Sequence, residues 1–292
     1  MKKIIAIALS VFILCFCLMG YLTIPNEWII RQNLDVTDGQ AMFYTIFNRR
    51  TKDLIVVDGG WTGNTEHVRE EIMKLGGHVN IWFVTHYHED HCGAFNAIYG
   101  DPQGIVIDHV IASSEDYDLF LEVYKDWDSP ITFARFRELA EGKENIHYPD
   151  RDDEFDFGSL HFKVFSNYDD VLTDTIGTYD IPNNASLVFK IEGKENSIIF
   201  TGDMYAPDMG AYLINRYGDE LRADYLQLPH HGNSVMTYDF YEAVNPEAVL
   251  FDAPGWLMTD DTYRAKELED WCNERGIETC DYRTAPNELI LK

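Results

Sequence analysis

A short histidine-rich stretch offers the clearest potential chemistry in the chain. Three imidazoles and two carboxylates fall within six consecutive residues: His86, Tyr87, His88, Glu89, Asp90 and His91. The stretch follows the apolar run 79–84, so its side chains should leave the end of a buried strand and can converge on one point. Imidazole nitrogen and carboxylate oxygen suit Zn²⁺ and its first-row neighbours. The spacing therefore predicts a metal site rather than a solvated polar loop.

Three further segments place potential ligands at predicted strand ends. Each is an apolar run followed by a donor: 54–57 before Asp58, 197–200 before Asp203, and 225–229 before His230 and His231. Runs of this kind are typical of buried strands that end in polar turns. Adjacent side chains on an extended backbone point to opposite sides, so we expect only one residue of the His pair to bind metal.

The H-x-H-x-D-H spacing, followed in order by Asp203 and the His pair, resembles the metallo-β-lactamase superfamily over residues 58–232. The resemblance implies two divalent metal ions, with Zn²⁺ as the expected ion and Mn²⁺ as the alternative. It implies that His86 and His88 hold one ion and that Asp203 bridges the two. The implied ligands of the second ion are Asp90, His91 and His231. Asp58 takes the place of the family's supporting carboxylate beneath the metal loop.

The choice between the two adjacent histidines comes from the same resemblance. Aligning Pro-His-His-Gly with the family's Pro-Gly-His-Gly form makes His231 the ligand and leaves His230 facing the substrate. An imidazole that titrates near neutral pH can hydrogen-bond a phosphoryl oxygen or pass a proton to a leaving group. We therefore regard His230, together with Asp90, as a catalytic candidate.

One segment departs from the common family pattern. Many members carry a further His before the Thr-Gly-Asp strand, whereas residues 181–189 here contain none. The form Asn-x-x-Ser-Leu-Val resembles the branch that contains competence-protein (DNA-internalisation) metallohydrolase domains and phosphorylcholine esterases. An amide oxygen is a weaker ligand than imidazole, so one ion should be held loosely or be open to water and substrate. Asn183 or Asn184 could instead bind substrate, or the pair could simply form a turn.

The amino-terminal segment predicts export. Lys2 and Lys3 precede an almost wholly apolar stretch, 4–22, whose length and composition suit insertion into a membrane as a helix. We expect residues 1–24 to be a signal peptide or membrane anchor and residues 25–292 to be one hydrolase domain. That domain would then be extracellular, either secreted or held at the outer face of the cytoplasmic membrane.

The three cysteines of the expected domain leave alternatives open. Cys272 and Cys280 could pair in an oxidising compartment, although spacing alone does not establish it. Cys92 follows the metal loop directly and could pack as a small apolar residue or act as a thiolate ligand.

The acidic composition bears on the substrate. Fifty acidic against 23 basic residues give a formal net charge of −27. Nucleic-acid binding depends on Lys and Arg that displace phosphate counterions, so no nucleic-acid partner is expected. A cationic or zwitterionic group fits better, and it could be bound by Trp61 and Trp256 through cation–π contacts. The aromatic-rich segment 113–144, helical in pattern, could form a lid and add to such a cage: Phe120, Tyr124, Trp127, Phe133 and Phe136.

Apolar runs alternate with amphipathic stretches along the domain. Strands are predicted at 43–48, 54–57, 81–85, 104–111, 160–166, 186–192, 197–202, 225–229, 248–253 and 289–291, with clear helices at 65–74 and 263–275. This arrangement is similar to the α/β fold of the family, an αββα sandwich of two mixed sheets flanked by helices.

These observations predict an exported binuclear metal-dependent hydrolase. A water held by two cations would lose a proton near neutral pH and attack a phosphorus or carbonyl centre. The expected substrate is a phosphodiester or phosphorylcholine-type ester, either a small molecule or part of a cell-surface polymer. The alternatives are hydrolysis of a β-lactam, lactone or other ester, and a non-catalytic metal-binding surface module.

Overall fold

A computed structural model describes residues 25–234, 236–283 and 285–292. Its strands are β1 (Trp28–Gln32), β2 (Phe43–Asn48), β3 (Leu54–Asp58), β4 (His78–Val84), β5 (Val106–Ala112), β6 (Ile146–His147), β7 (Glu154–Phe157), β8 (Leu160–Ser166), β9 (Val188–Glu192), β10 (Ser197–Phe200), β11 (Tyr225–Gln227), β12 (Ala248–Phe251), β13 (Glu278–Asp281) and β14 (Asn287–Leu291). Its α-helices are α1 (Thr65–Lys74), α2 (Glu89–Gly100), α3 (Tyr117–Val123), α4 (Pro130–Ala140), α5 (Asp170–Ile176), α6 (Ile181–Asn184), α7 (Pro207–Tyr217), α8 (Tyr238–Val244), α9 (Gly255–Thr259) and α10 (Ala265–Arg275).

The strands form two seven-stranded sheets. The first has the order β14-β1-β2-β3-β4-β5-β6 and the second the order β13-β12-β11-β10-β9-β8-β7. Strands β3 to β6 run parallel to one another, as do β10 to β13, and the other neighbours are antiparallel. Both sheets are therefore mixed, which confirms the predicted architecture.

Apolar side chains hold the sheets together and the helices onto them. Phe83 of β4 stacks on Phe189 of β9 between the sheets, with ring centroids 4.3 Å apart. The preceding residue, Trp82, points to the opposite face of the sheet and packs on Phe95 of α2. Helix α7 covers the outer face of the second sheet and buries Met209 with its neighbours. The result is the expected order of helix, sheet, sheet and helix.

The prediction missed four strands, all at or near sheet edges: β1, β6, β7 and β13. The predicted segment 113–144 is two helices, α3 and α4, joined by a loop. The carboxyl ends of parallel strands meet at one edge of each sheet, and the loops that leave β3, β4, β10 and β11 gather there. This is the position in which open α/β sheets commonly bind ligands.

The proposed signal or anchor, 1–24, lies outside the described residues. Within the part of the chain that the structure covers, no helix combines the length and apolar character needed to cross a bilayer. Cys272 and Cys280 are buried and unpaired, so the disulfide that their spacing allowed does not form in this structure.

Candidate metal centre

The histidine-rich loop joins the end of β4 to the start of α2. His86 follows the last buried residues of β4 and is fully buried. His88 has an extended backbone and precedes the first helical residue, so the chain turns into α2 with Asp90 and His91 in its first turn. Because one sharp strand-to-helix turn carries all four side chains, they lie on the same side of the sheet edge.

Asp58 fixes the orientation of His91. Oδ2 of Asp58 lies 2.7 Å from Nδ1 of His91, and both side chains are completely buried. The carboxylate also accepts hydrogen bonds from the backbone N–H and the hydroxyl of Thr85, at 2.8 and 2.6 Å. With Nδ1 of His91 donating to Asp58, Nε2 is the nitrogen that faces the centre. This is a common way in which proteins orient a metal-binding imidazole.

The second sheet contributes Asp203 and His231. Asp203 follows β10, and its backbone N–H donates to Oγ of Ser186 at 3.0 Å. Nδ1 of His231 lies 3.0 Å from the backbone oxygen of Asp252. A carbonyl oxygen can only accept, so Nδ1 carries the proton and Nε2 of His231 is free to bind a cation.

The backbone of the His pair differs from the expectation. His230 and His231 lie in a short 3₁₀ turn, Pro229–Gly232, with left-handed φ values of 50° and 59°. The premise that the pair is extended is therefore wrong. The tight turn still separates the two rings, with centroids 6.1 Å apart, and it directs His231 inward while His230 remains at the surface of the cavity.

The donor atoms form two compact groups. One consists of His86, His91 and Asp203, and the other of Asp90, His91 and His231, with the ligand atoms of each group within 4.8 Å of one another. Nε2 of His91 lies 3.1 Å from Oδ1 of Asp203 and 3.2 Å from Nε2 of His231. Oδ2 of Asp90 is 3.2 Å from the same His231 nitrogen.

These groups fit divalent cations. When Nδ1 of His91 and Nδ1 of His231 carry the protons, their Nε2 lone pairs face each other at 3.2 Å, an arrangement that a cation between them would stabilise. Nε2 of His86 and Oδ1 of Asp203 are also buried without hydrogen-bond partners. Nitrogen and carboxylate donors in this mixture are typical of zinc and its first-row neighbours.

Burial and neighbouring charges set the protonation of the centre. Burial, reinforced by nearby His91, lowers the pKa of His86 well below its usual range, so this ring is neutral. Burial by itself raises the pKa of Asp203, but the charges of His231 and His91 outweigh it and hold the pKa of Asp203 well below its usual range. Burial lowers the pKa of His91 and of His231, but Asp203 and the other nearby carboxylates outweigh it and raise both, that of His231 to about 10. Because neutral imidazole and ionised carboxylate are the forms that bind metal, an ion entering the centre would displace the Nε2 protons of these two rings.

His88 belongs to neither compact group, although its ring centroid lies 4.8 Å from that of His86 and it lines the same cavity. Its Nε2 lies 2.9 Å from Oδ1 of Asp128, in the loop between α3 and α4. The two residues are 9% and 6% exposed. Asp128 was not anticipated from the sequence, because it lies among other acidic residues of a loop without a metal-binding pattern.

His230 faces the cavity beside the centre. Its ring stacks on Tyr205, with centroids 5.1 Å apart, and its Nδ1 lies 3.2 Å from Oγ of Ser234. Nε2 of His230 is 3.9 Å from Oδ2 of Asp203, farther than the corresponding 3.3 Å for His231. Burial lowers the pKa of His230, which leaves the ring neutral at pH 7. Its position fits contact with a substrate better than the inner ligand position.

The two asparagines have different environments. Asn184 is buried, its Oδ1 accepts from the backbone N–H of Tyr205 and Ala206, and its Nδ2 donates to two backbone oxygens. These bonds use the whole amide, so the suggested substrate role of Asn184 is corrected to a structural one. Asn183 lines the cavity, and its buried Oδ1 has no partner. Asn183 therefore remains the candidate for contact with a substrate or a metal.

A cavity of about 290 Å³ opens above the centre. Three tryptophans line it: Trp61, Trp127 and Trp256. Trp127 is 75% exposed, and the indole N–H of Trp61 and that of Trp256 donate to backbone oxygens of the 38–40 turn. Among the other aromatic residues expected to form a cage, three are buried in the core cluster of the first sheet and its helices: Phe120, Phe133 and Phe136.

Cys92 does not face this cavity. It is buried in the apolar cluster between the first sheet and its helices, and burial raises the pKa of its thiol well above the usual value. Its environment is that of a small apolar residue, which favours the packing alternative over thiolate ligation.

Comparison with known proteins adds a family match. The sequence pattern of the metallo-beta-lactamase superfamily matches residues 36–215. The uncharacterized protein YcaI of Escherichia coli K12 is 37% identical over 78 residues, which are 26% of this chain and 10% of YcaI.

Solved structures share the fold at low sequence identity. CmlA, a diiron beta-hydroxylase from Streptomyces venezuelae, superposes with a TM-score of 0.57 at 15% identity, over 91% of this chain and 55% of CmlA. The metallo-beta-lactamase fold protein YhfI from Bacillus subtilis gives a TM-score of 0.55 at 10% identity, over 92% of this chain and all of YhfI. The chain thus spans about half of CmlA and a tenth of YcaI.

Proposed function

The chain belongs to the metallo-beta-lactamase superfamily of metal-dependent hydrolases, and we propose that it is an exported enzyme that hydrolyses phosphodiester or phosphorylcholine-type esters with two divalent metal ions. The observation that carries this proposal is the convergence of five side chains from both sheets into two donor groups beneath an open cavity: His86, Asp90, His91, Asp203 and His231. Export is supported by the apolar segment 4–22.

Two ions, zinc by preference, would supply Lewis-acid charge at the phosphorus and lower the pKa of a bound water. The protein's own contribution is to hold the donors in place. Asp58 and the backbone oxygen of Asp252 orient His91 and His231, so that Nε2 of each ring faces the centre. The amide of Gln40 donates to Oδ2 of Asp90 at 3.1 Å and restrains that carboxylate.

His230 is the residue placed to assist the leaving group. Its neutral ring is fixed by stacking on Tyr205, and the contact of its Nδ1 with Ser234 leaves Nε2 directed toward the cavity. From there Nε2 can donate a hydrogen bond to a phosphoryl oxygen or exchange a proton with the departing oxygen. The unpartnered Oδ1 of Asn183 would provide a second polar contact in the same cavity.

The residues that line the cavity favour a substrate with a cationic head group next to the scissile ester. Among its lining residues the carboxylates are Glu89, Asp90 and Asp203, and Lys and Arg do not occur. The three cavity tryptophans provide aromatic faces, which attract quaternary ammonium groups through cation–π contacts. A polyanion would meet repulsion at this opening and gain little from counterion release.

A substrate panel tests the proposal. The purified protein, loaded with Zn²⁺ or Mn²⁺, is assayed on p-nitrophenyl phosphorylcholine and bis-p-nitrophenyl phosphate, with metal-free protein and Asp203→Ala as controls. Metal-dependent hydrolysis with a preference for the choline ester is expected. Turnover confined to nitrocefin or a lactone would assign the protein to the competing class of ester and lactam hydrolases. Tight metal binding without turnover of any substrate would indicate a non-catalytic binding module.

A further inference from the structure

We propose that Asp128 is a ligand of the metal ion that His86 and His88 hold, supplied by the loop between α3 and α4. This assignment rests on the proposed binuclear centre. It supplies a ligand that the chain otherwise lacks at this position. Residues 181–189 contain no histidine, and all hydrogen-bonding positions of the Asn184 amide are occupied by backbone groups. The ion on the His86 side would otherwise have few protein ligands.

The contact between Asp128 and His88 is close and buried. Oδ1 of Asp128 lies 2.9 Å from Nε2 of His88, and neither atom has a hydrogen bond to any other group. Two donors that share one tetrahedral zinc ion at about 2.1 Å each would lie about 3.4 Å apart. The pair is therefore within about 0.5 Å of the spacing of neighbouring ligands of a single ion, and a small side-chain rotation would admit the ion.

The loop holds the carboxylate in this orientation. The backbone N–H of Lys125 donates to Oδ2 of Asp128 at 2.6 Å, and the backbone N–H of Asp128 donates to the oxygen of Lys125 at 3.0 Å. This turn occupies one carboxylate oxygen and directs the other at His88. The residues on either side, Trp127 and Ser129, line the cavity, so the loop is part of the wall of the site.

A purely structural ion pair makes the opposite prediction. If Asp128 only formed a salt bridge with His88, it would compete with the metal for Nε2, and its removal would leave metal affinity unchanged or increase it. If Asp128 is a ligand, its removal lowers the affinity. The sign of the change separates a ligand from a competing ion pair, and the distance from Oδ1 of Asp128 to zinc in a crystal structure separates a ligand from a carboxylate that only orients His88.

The test compares Asp128→Asn with wild-type protein and Asp126→Asn. Asp126 is exposed on the same loop, so its substitution removes the same charge two residues away. Zn²⁺ and Mn²⁺ binding is measured by chelator competition and by metal content after dialysis, and folding is checked by circular dichroism. We expect two ions in wild type and in Asp126→Asn, and an affinity for one ion lowered by at least about 10- to 100-fold in Asp128→Asn.

Each other outcome has a definite meaning. Wild-type affinity or tighter binding in folded Asp128→Asn would refute the ligand role while leaving the binuclear centre intact. A wild-type protein that binds no metal would instead refute the proposed function. If Asp128→Asn does not fold, a crystal structure of the zinc-loaded wild type decides: Oδ1 within about 2.0–2.2 Å of an ion supports the proposal, and an Oδ1 not bound to zinc overturns it.

Discussion

His91 and Asp58 are 33 positions apart in the sequence, yet Nδ1 of one lies 2.7 Å from Oδ2 of the other in a completely buried contact. Asp58 adopts a left-handed backbone conformation, with φ of 53°, at the end of β3. That conformation is unfavourable for most side chains but tolerated by Asp and Asn. The strand end therefore accepts local backbone strain in order to present a carboxylate to the first turn of α2.

Replacing Asp58 with Asn should weaken metal binding while preserving the fold. Asn tolerates the left-handed conformation and can still accept from Thr85, but it lacks the charge that fixes His91. Loss of such an orienting carboxylate typically lowers metal affinity by about 10- to 100-fold. Chelator competition measures the change. Asp53→Asn, just before β3, is the control and should retain wild-type affinity; equal affinities for all three proteins would contradict the orienting role.

Asp203→Ala should lose metal and hydrolysis together. Oδ1 and Oδ2 of Asp203 lie 3.1 and 3.3 Å from the inward nitrogens of His91 and His231, so one carboxylate serves both donor groups. The site lies at a sheet edge, and the main core between the sheets should survive the substitution. Metal content and turnover of bis-p-nitrophenyl phosphate are the measurements. Full metal occupancy with normal turnover in this variant would reject the bridging assignment.

Alanine variants of the two adjacent histidines should differ in their metal content. His231→Ala removes an inward donor and is expected to lower metal occupancy. His230→Ala should keep both ions but slow turnover by about 10²- to 10⁴-fold, the range for losing a general acid or base. Metal analysis and steady-state kinetics on the same preparations provide both values. If metal loss follows His230 instead, the two roles are reversed.

Trp127→Ala should raise KM for p-nitrophenyl phosphorylcholine. A cation–π contact contributes about 0.5–2 kcal/mol, which corresponds to a rise in KM of about 2- to 30-fold with little change in kcat. The control is Ile131→Ala, because Ile131 is 83% exposed nearby but lies outside the cavity lining. A KM that changes equally for bis-p-nitrophenyl phosphate, which has no ammonium group, would argue against a cation–π role.

The protein should show no measurable affinity for DNA at physiological salt. Its charge of −27 and the carboxylates at the cavity repel phosphate, and few basic groups are available to release counterions. Fluorescence anisotropy with single-stranded and duplex DNA measures binding, and gel assays with Zn²⁺ or Mn²⁺ measure cleavage. Robust metal-dependent DNA cleavage without choline-ester turnover would make the protein an acidic nuclease.

The sequence places the donors of the histidine-rich loop together because they are neighbours in the chain. Residues His86 to His91 leave a single strand, so their spacing alone places them together. Asp203 and His231 could be added because each follows an apolar run in the order that the family resemblance implies. The edge strand β7 was detectable in principle, since Glu154–Phe157 alternates acidic and aromatic residues, but it is short and only its Phe155 stacks closely on Phe162.

Other parts of the site leave no such signal. Asp128 is one of several acidic residues in its loop, and only the folding of α3 and α4 over the metal loop brings it to His88. The partner of His231 is a backbone oxygen, which every residue possesses. The left-handed conformation of two consecutive histidines is rare for residues other than glycine, so the extended form was the natural but incorrect expectation.

The inward donors come from opposite halves of the molecule: His91 follows a strand of the first sheet, and His231 follows a strand of the second. An ion held by both would act as a reversible cross-link across the sandwich, and pulling the halves apart would require its release. Such linkage raises the free energy of unfolding by about 2.7 kcal/mol when free metal is 100 times its dissociation constant. The melting temperature would therefore report metal occupancy directly, even while the natural substrate is unidentified.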